Sequence, residues 1–562
     1  MKGSESRFRS VPEVLIGSVA LLVALVATWR VAAPTIRPDE WGYLLNGQVL
    51  LGRSEPLLPY ARYYGPVYGL VTAFGALITG SLHGAFRFAL LFNLATVMVT
   101  GLGVRRLASR WGADRANAAM IALVVMVAPG SLASAMFSWA EPLVRLLVVL
   151  VVLCAVEVER GAGPGWFALF VTIAGMAPML HGRLVAVTAG ALLVLVLWYR
   201  RRLLGRSRIV TGVASVISLY AVGRAFAFVL RRWLYRNRAT QEGRLFELLR
   251  NPSHFTDLIR ESAGQGWYLL ASTLGLALVG FVVVARRARG NGVRAAQGDT
   301  GAILTVVLTM SFLFLGAVQL VEATRGDQFV YGRYVETASP VLLVAALASL
   351  SHGASILRRT WGVAVVSILC LPVVMTIVLG QDIVRQWSRF NGPLRSPNIP
   401  ALDGVQSLVG SSGLVVFAVA FASLSAGAFV VSYAGSRIFM RSLAVVFLLS
   451  SSWTSLHTMS TRNAKWEGLG SSFAAVGRSE STVVGYDDRT VADKRYYVIR
   501  YRLHPTRIVW MPVSRAGSVV PAGINCVYGF EDGRPADGAW TIAGREDSVG
   551  LVLWRRAGAA RC

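Results

Sequence analysis

The stretch RPDEWGYLLNGQ, residues 37–48, places two adjacent carboxylates, Asp39 and Glu40, directly after a long apolar run. That run, from Val11 to Val31, is about as long as a helix that crosses a bilayer. A charged side chain beside lipid is costly, so acids at the exit of a membrane span indicate function unless they are simply solvated. Two interpretations follow: solvated loop acids that cap a helix beginning near Trp41, or a reactive site at the membrane surface.

The composition indicates a polytopic α-helical membrane protein. Of the 562 residues, 54% are hydrophobic and 15% are charged, and the mean hydropathy is +0.55. Soluble domains carry about 25% charged residues. Apolar runs of roughly 18 to 22 residues recur along the chain, each long enough to cross a hydrocarbon core of about 30 Å. The composition therefore excludes a large soluble helical core.

Arginine clusters orient the predicted spans, because short cytoplasmic loops are enriched in Arg and Lys. They place the N-terminus inside and the C-terminus outside, with about thirteen spans and an external loop at 33–85 that contains interfacial helices. The predicted spans are 11–31, 86–104, 116–137, 142–157, 164–180, 184–199, 209–230, 266–285, 301–321, 338–351, 361–380, 411–434 and 442–457. The loops also explain the formal charge of +27 without nucleic acid as a partner.

From residue 458 the composition changes to short segments with the pattern of β-strands. Predicted strands are STVVGYDD, TRIVWMPV, GINCVYGF and SVGLVLWRR, and RTVADKRYYVIRYRL is a predicted amphipathic helix between the first two. We therefore divide the chain into a membrane domain, 1–457, and a small extracytoplasmic α/β domain, 458–562. Cys526 and Cys562 both lie in the second domain, and the sequence leaves open whether they pair.

Four polar clusters lie at the predicted external ends of the spans. Their members are Asp39, Glu40 and Tyr43; Glu141 in FSWAEPL; His181 and Arg183 in HGR; and Arg333, Tyr334 and Glu336 in YGRYVE. Structural interpretations compete with functional ones, such as a helix-start acid for Glu141, an interfacial histidine for His181 and a snorkelling arginine for Arg333. Their common placement at one membrane face favours function.

One predicted external loop departs from the usual distribution of arginines. The segment 231–250 holds six arginines, among them Arg231, Arg232 and Arg236. Two explanations stay open: a charged surface helix at the lipid headgroups, or a site for an anionic ligand. Arginine binds phosphate bidentately, so these three residues are candidate ligands of a lipid phosphate.

These motifs resemble the GT-C superfamily of integral-membrane glycosyltransferases. The similarity is greatest to the branch of protein O-mannosyltransferases, lipid A aminoarabinose transferases, and actinobacterial arabinosyl- and mannosyltransferases. It rests on the acidic pair after the first span, the stretch PYARYYGPVYGL with Tyr64, Glu141-Pro142 after the third span, and GRY at 332–334 before a late span. It covers most of the spans in order and pattern.

The resemblance implies a reaction. Such enzymes transfer a sugar from a polyprenyl phosphate to an acceptor hydroxyl and invert the anomeric carbon. By that resemblance Asp39 is the catalytic base, supported by Glu40, because a nearby carboxylate assists loss of the hydroxyl proton. An arginine stabilises the departing phosphate, and Arg333 is the first choice. Further candidates for substrate binding are Tyr43, Tyr64, Glu141, His181, Arg183 and Tyr334. Glu40 or Glu141 could also hold a divalent metal, and the sequence leaves this requirement open.

The expected partners are a polyprenyl-phosphate sugar donor, a cell-envelope acceptor (glycan, lipid or protein) and the lipids of the plasma membrane. The sequence has no Gly-rich phosphate loop, which argues against a nucleotide-sugar donor. Two alternatives remain: a transporter of lipid-linked glycans, and a non-enzymatic scaffold that binds cell-wall glycan. A transporter is expected to bury charges in mid-span, whereas most charges here lie at span ends. A scaffold is expected to tolerate loss of Asp39.

Overall fold

The computed structural model describes residues 11–35, 38–52, 64–234, 254–290, 299–321, 330–350, 399–403, 436–467, 481–487, 495–513, 519–546, 550–560 and 562, with a few further isolated positions. Within these residues the chain is a bundle of helices followed by a five-stranded sheet. The predicted spans at 361–380 and 411–434 lie largely outside the described residues.

The bundle is formed by helices that follow the apolar runs of the sequence. In chain order they are α1 (Val11–Arg30), α2 (Pro38–Leu50), α3 (Pro66–Thr79), α4 (Leu82–Arg110), α5 (Arg115–Val127), α6 (Pro129–Ala135), α7 (Glu141–Glu159), α8 (Pro164–Leu180), α9 (Val185–Arg200), α10 (Arg206–Leu234), α11 (His254–Ser272), α12 (Leu276–Ala288), α13 (Thr300–Leu320), α14 (Gly332–Val335), α15 (Ser339–Leu350) and α16 (Ser436–Glu467). By length and composition, five of the described helices can cross a membrane, or seven if each of two bent pairs forms one span.

Two predicted spans are not continuous helices. The span predicted at 116–137 consists of α5 and α6, which meet at 54°, because Pro129 has no N–H to continue the helix. The span predicted at 266–285 consists of parts of α11 and α12, which meet at 106°. Leu274 and Gly275 lie between them with positive φ angles of 52° and 79°, and left-handed residues end a helix. Each of these two predicted spans therefore contains a break that the apolar run does not indicate.

Helices α2 and α3 lie in the predicted first external loop and pack closely against each other. Thr72 donates a hydrogen bond of 2.9 Å to the carbonyl of Tyr43, which joins the two helices. A Cβ atom on Gly47 would lie 2.7 Å from the backbone nitrogen of Ala73. Glycine at position 47 therefore permits the close approach that fixes α2, the helix that carries the acidic pair.

The sheet contains β1 (Val483–Asp487), β2 (Arg507–Met511), β3 (Cys526–Gly529), β4 (Trp540–Glu546) and β5 (Leu551–Arg556) in the order β2-β1-β3-β5-β4. β1 is parallel to β2 and β3, and β5 is antiparallel to β3 and β4. Helix α17 (Arg495–Leu503) connects the parallel pair β1 and β2. The four predicted strands and this helix are present.

Three features of the C-terminal segment extend the sequence prediction. Edge strand β4 was missed, because WTIAGRE does not alternate apolar and polar residues. Helix α16 continues to Glu467, past the predicted division at 458. Cys526 and Cys562 form a disulfide, with Cα atoms 5.3 Å apart, which ties the end of the chain to β3.

Candidate active site

Asp39 lies in the first turn of α2, and both of its carboxylate oxygens accept hydrogen bonds. The Tyr64 hydroxyl donates to Oδ1 at 2.6 Å, and Nη1 of Arg333 donates to Oδ2 at 2.5 Å. The Tyr64 ring can reach Asp39 because residue 42 is glycine: a Cβ atom there would lie 2.0 Å from Tyr64 Cδ2. The Asp39 side chain is 36% exposed, so this carboxylate is held in place and still open to a ligand.

Arg333 joins the carboxylates of Asp39 and Glu141. Its Nε donates to Oε1 of Glu141, and its Nη1 donates to Asp39. The guanidinium lies over the Trp139 ring, with Cζ 4.2 Å from the ring centroid. Arg333 and Glu141 are both buried, and buried charges of this kind are stable only when paired. Arg333 therefore acts as a bridge within the site.

Glu40, the second acid of the pair, is buried and enclosed by donors. Oε2 accepts from the Thr35 N–H at 2.6 Å and from Nη2 of Arg462 at 2.9 Å. Oε1 accepts from the Ser138 N–H at 2.7 Å. These contacts connect α2 to α16 and to the loop after α6. The geometry thus separates the pair, with Asp39 open to a ligand and Glu40 used to anchor the helix.

The two carboxylates considered as metal ligands, Glu40 and Glu141, each form an ion pair with arginine. In the part of the chain that the structure describes, no three His, Cys, Asp or Glu side chains form a group suited to a metal ion. The described residues therefore provide no set of ligands for the divalent metal considered in the sequence analysis.

Arg183 is buried, and none of its three guanidinium nitrogens has a hydrogen-bond partner among the described residues. It lies in a short 3₁₀ turn between α8 and α9, with Cζ 4.7 Å from the centroid of the Tyr334 ring. The hydroxyl of Tyr43 and Oε2 of Glu141, both within electrostatic range of Arg183, also lack partners in the described segments. A buried guanidinium whose donors are unpaired is expected to receive an anionic ligand, because unsatisfied buried donors are costly.

His181 and Tyr334 enclose Arg183. The backbone N–H of Arg183 donates to Nδ1 of His181 at 3.3 Å, and the His181 ring centroid lies 5.9 Å from that of Tyr334. The Tyr334 hydroxyl donates to Oε1 of Gln319 at 3.0 Å. Burial, and next the charge of Arg183, hold the pKa of His181 well below its usual range. The charged form of the ring is therefore disfavoured, and His181 packs beside Arg183 and Tyr334.

A second buried ion pair, formed by Arg145 and Glu336, lies one helical turn from the pair of Glu141 and Arg333. The Tyr268 hydroxyl donates to Oε1 of Glu336. Arg145 and Tyr268 were missed in the sequence, although Arg145 stands inside a predicted span, where a charge signals a partner.

The loop arginines considered for lipid phosphate are not brought to this site by any described contact. The side chain of Arg231, in the last turn of α10, is not among the described parts of the chain. Residue Arg236 lies outside the described residues. Arg232 is exposed and makes no hydrogen bond or ion pair with the segments that the structure describes. Among the described residues, the remaining candidate cation is therefore Arg183, which lies near Glu141, Arg333 and Tyr334.

The structure resembles two crystal structures of ArnT from Cupriavidus metallidurans. The apo structure gives a TM-score of 0.56 at 16% sequence identity, over 96% of this chain and 97% of that one. The structure bound to undecaprenyl phosphate gives a TM-score of 0.58 at 16% sequence identity, over 98% of this chain and 99% of that one. The chain has the fold of ArnT. A likeness with a TM-score of 0.41 and 15% identity, over 82% of this chain and 41% of the other, is to the arabinosyltransferase EmbB from Mycobacterium smegmatis.

No protein-family model and no curated protein sequence matches the chain. ArnT is an aminoarabinose transferase and a GT-C glycosyltransferase, so the predicted resemblance to the GT-C superfamily is confirmed at the level of the fold. The ArnT-like fold and the apolar helices also confirm a multi-pass membrane protein.

Proposed function

We propose that this protein transfers a sugar from a polyprenyl-phosphate donor to a hydroxyl group of a cell-envelope acceptor on the extracytoplasmic face of the membrane. One observation carries the proposal: Arg333 contacts an accessible carboxylate, Asp39, and lies near a buried arginine, Arg183, whose guanidinium has no hydrogen-bond partner among the described residues. The ArnT fold supports the donor class, since ArnT itself has been captured with undecaprenyl phosphate.

In the proposed reaction, Asp39 accepts the proton of the acceptor hydroxyl as its oxygen attacks the anomeric carbon. The bond between that carbon and the phosphate oxygen breaks, and the electron pair leaves with the polyprenyl phosphate. Attack opposite to the leaving group inverts the anomeric carbon. Tyr64 and Arg333 hold the carboxylate in position through the hydrogen bonds to its two oxygens.

The role of phosphate ligand passes from Arg333 to Arg183 in this proposal. Two donor groups of Arg333 are already used by Asp39 and Glu141. None of the guanidinium nitrogens of Arg183 has a hydrogen-bond partner among the described residues, and the Tyr43 hydroxyl, which also lacks one there, can add a further donor. Fixed donors aimed at a developing negative charge stabilise the transition state more strongly in a dry site than in water.

The test is transfer by purified protein in proteoliposomes that contain synthetic polyprenyl-phosphate sugars. Asp39→Asn should lower kcat by about 10²- to 10⁴-fold, the usual contribution of a general base. Arg183→Met should lower it by about 10²- to 10³-fold. Glu531→Gln and Arg105→Met are matched controls, because both side chains are exposed.

The outcomes separate the parts of the proposal. Wild-type rates in Asp39→Asn contradict the base assignment, and wild-type rates in Arg183→Met contradict the phosphate assignment. Absence of transfer from mannosyl, arabinosyl and aminoarabinosyl donors alike contradicts the donor class, and favours the non-enzymatic scaffold.

A further inference from the structure

Helix α11 buries two polar side chains, Glu261 and Gln265, that the site described above does not use. Glu261 is 1% exposed and Gln265 is fully buried. Oε1 of Glu261 accepts from Nη2 of Arg260 at 3.2 Å, but Oε2 has no partner among the described residues. The same holds for both amide atoms of Gln265. Buried polar atoms are nearly always hydrogen-bonded, so three such atoms within one helical turn require an explanation.

The space for the Gln265 amide is provided by a glycine on the facing helix. A Cβ atom on Gly316 of α13 would lie 2.3 Å from Oε1 of Gln265. The amide therefore lies directly against the backbone of α13, where an apolar side chain would ordinarily pack. Since Glu261 and Gln265 are four residues apart, they lie on one helix face, with Cβ atoms about 5–6 Å apart.

This polar face of α11 leads to the segment that carries Arg333. Tyr268, three residues after Gln265, packs on Gly332: a Cβ atom on that glycine would lie 1.9 Å from the Tyr268 ring. The Tyr268 hydroxyl donates to Glu336 in the same segment. Glu261, Gln265 and Tyr268 therefore form a stripe on α11, and the Tyr268 end of it contacts the wall of the candidate active site.

We propose that Glu261 and Gln265 form a subsite for a neutral polyhydroxyl group, a sugar ring. The Glu261 carboxylate accepts from hydroxyl groups, and the Gln265 amide both donates and accepts. The charges of Asp257 and Arg260 offset each other, so the group offers a phosphate no net positive charge. One carboxylate and one amide oxygen are too few ligands for a hard cation. Hydroxyl groups satisfy all three atoms.

This subsite rests on the proposed function, because that reaction brings sugars to the membrane surface. The sugar can belong to the donor or to the acceptor, and kinetics distinguishes the two. Glu261→Gln and Gln265→Met should each raise the KM of one substrate by about tenfold while kcat stays within about twofold, since a ground-state contact is lost. The substrate whose KM rises is the one that is bound. Thr256→Ala, an exposed position on the same helix, is the control.

A second readout separates binding from a structural role. Gln265→Met removes a buried amide that has no hydrogen-bond partner among the described residues, so the ligand-free variant should melt at a higher temperature than the wild type. A higher melting temperature together with a raised KM supports the subsite. A lower melting temperature with a proportional fall in kcat, or no change in either KM, overturns it.

The subsite also has a test that does not depend on transfer. Trp267 is buried two residues from Gln265, so its fluorescence should change on titration of the wild type with octyl mannoside or octyl arabinoside. Failure of the proposed function would appear as absence of transfer by the wild type. Failure of the subsite would appear as no saturable change, or as the same change in Gln265→Met.

Discussion

Arg145 pairs with Glu336 one helical turn from the point where Glu141 pairs with Arg333. In chain order, helix α7 carries the carboxylate of Glu141 and then the guanidinium of Arg145. The segment 332–336 carries a guanidinium, that of Arg333, and then the carboxylate of Glu336. Residues three or four apart lie on one helix face. A slip of either element by one turn would therefore oppose like charges. The double pair fixes the register of the segment that carries Arg333 and, through Arg333, the position of Asp39.

Glu336→Gln should destabilise the protein by about 3–5 kcal/mol, because it leaves the buried Arg145 without its counter-charge. Arg145→Met should destabilise the protein by a similar amount, because it leaves the buried carboxylate of Glu336 without its counter-charge. The double variant should lose much less than the sum of the two single losses, since neither charge remains. Thermal unfolding of the detergent-solubilised protein measures this. Glu531→Gln, in an exposed pair with Arg545, is the control and should change the melting temperature little.

Gly42→Ala should lower kcat of the proposed transfer, because the new Cβ atom would displace the Tyr64 ring from its position beside Asp39. Without the Tyr64 hydroxyl the carboxylate loses one of the hydrogen bonds that hold it in place, and misplacement by about 1 Å can cost about 100-fold in rate. The control is Gly165→Ala in α8, where a Cβ atom meets nothing within 4 Å. Equal rates for the two variants would contradict the role of Tyr64.

Apolar runs, helix-ending residues and strand patterns were sufficient to predict most of the described helices and four of the five strands. The breaks after Val127 and Ser272 were not predicted, because the sequence stays apolar through both positions although the helix ends there. Pro129 and Gly275 were visible signals of those two breaks, since both residue types interrupt helices.

The candidate site was predictable as a set of residues but not as a set of contacts. Asp39 and Arg333 are 294 positions apart, and nothing local in either motif indicates that they pair. Nor does the HGR motif show that Arg183 has no hydrogen-bond partner among the described residues while Arg333 pairs with two carboxylates. Such pairings depend on helix packing, which a single sequence does not encode locally. The assignment of Asp39 and the other candidate residues to catalytic or binding roles stays a prediction.

The disulfide between Cys526 and Cys562 gives a test of orientation. Disulfides persist in oxidising compartments, so the C-terminal sheet should lie on the extracytoplasmic side. In a variant with Cys154→Ser and Cys370→Ser, a membrane-impermeant maleimide should label intact cells only after treatment with an impermeant reductant. Labelling that requires lysis would contradict this orientation, and with it the predicted inside position of the N-terminus. Cys526→Ser with Cys562→Ser is the unlabelled control.

Trp41 connects the sheet to the helix that carries Asp39. Its ring stacks on Tyr497 of α17, with centroids 5.4 Å apart and planes at 13°. Tyr501, one turn further along α17, meets the edge of Trp41 at 5.6 Å, and its hydroxyl lies 2.5 Å from Nδ1 of His83 on α4. Helix α17 therefore packs on the first turn of α2, two residues from Asp39.

Tyr497→Leu should lower kcat of the proposed transfer more than it lowers binding of the donor, because the base would be held less firmly while the Arg183 region is unchanged. Aromatic pairs contribute about 0.5–1.5 kcal/mol beyond their buried area, which corresponds to a roughly two- to tenfold loss of rate. Tyr497→Phe keeps the stacking and should retain most of the activity. Tyr199→Leu, at an exposed tyrosine on α9, is the control for loss of an aromatic ring. A fall in melting temperature with no change in kcat would show that α17 stabilises the fold without positioning Asp39.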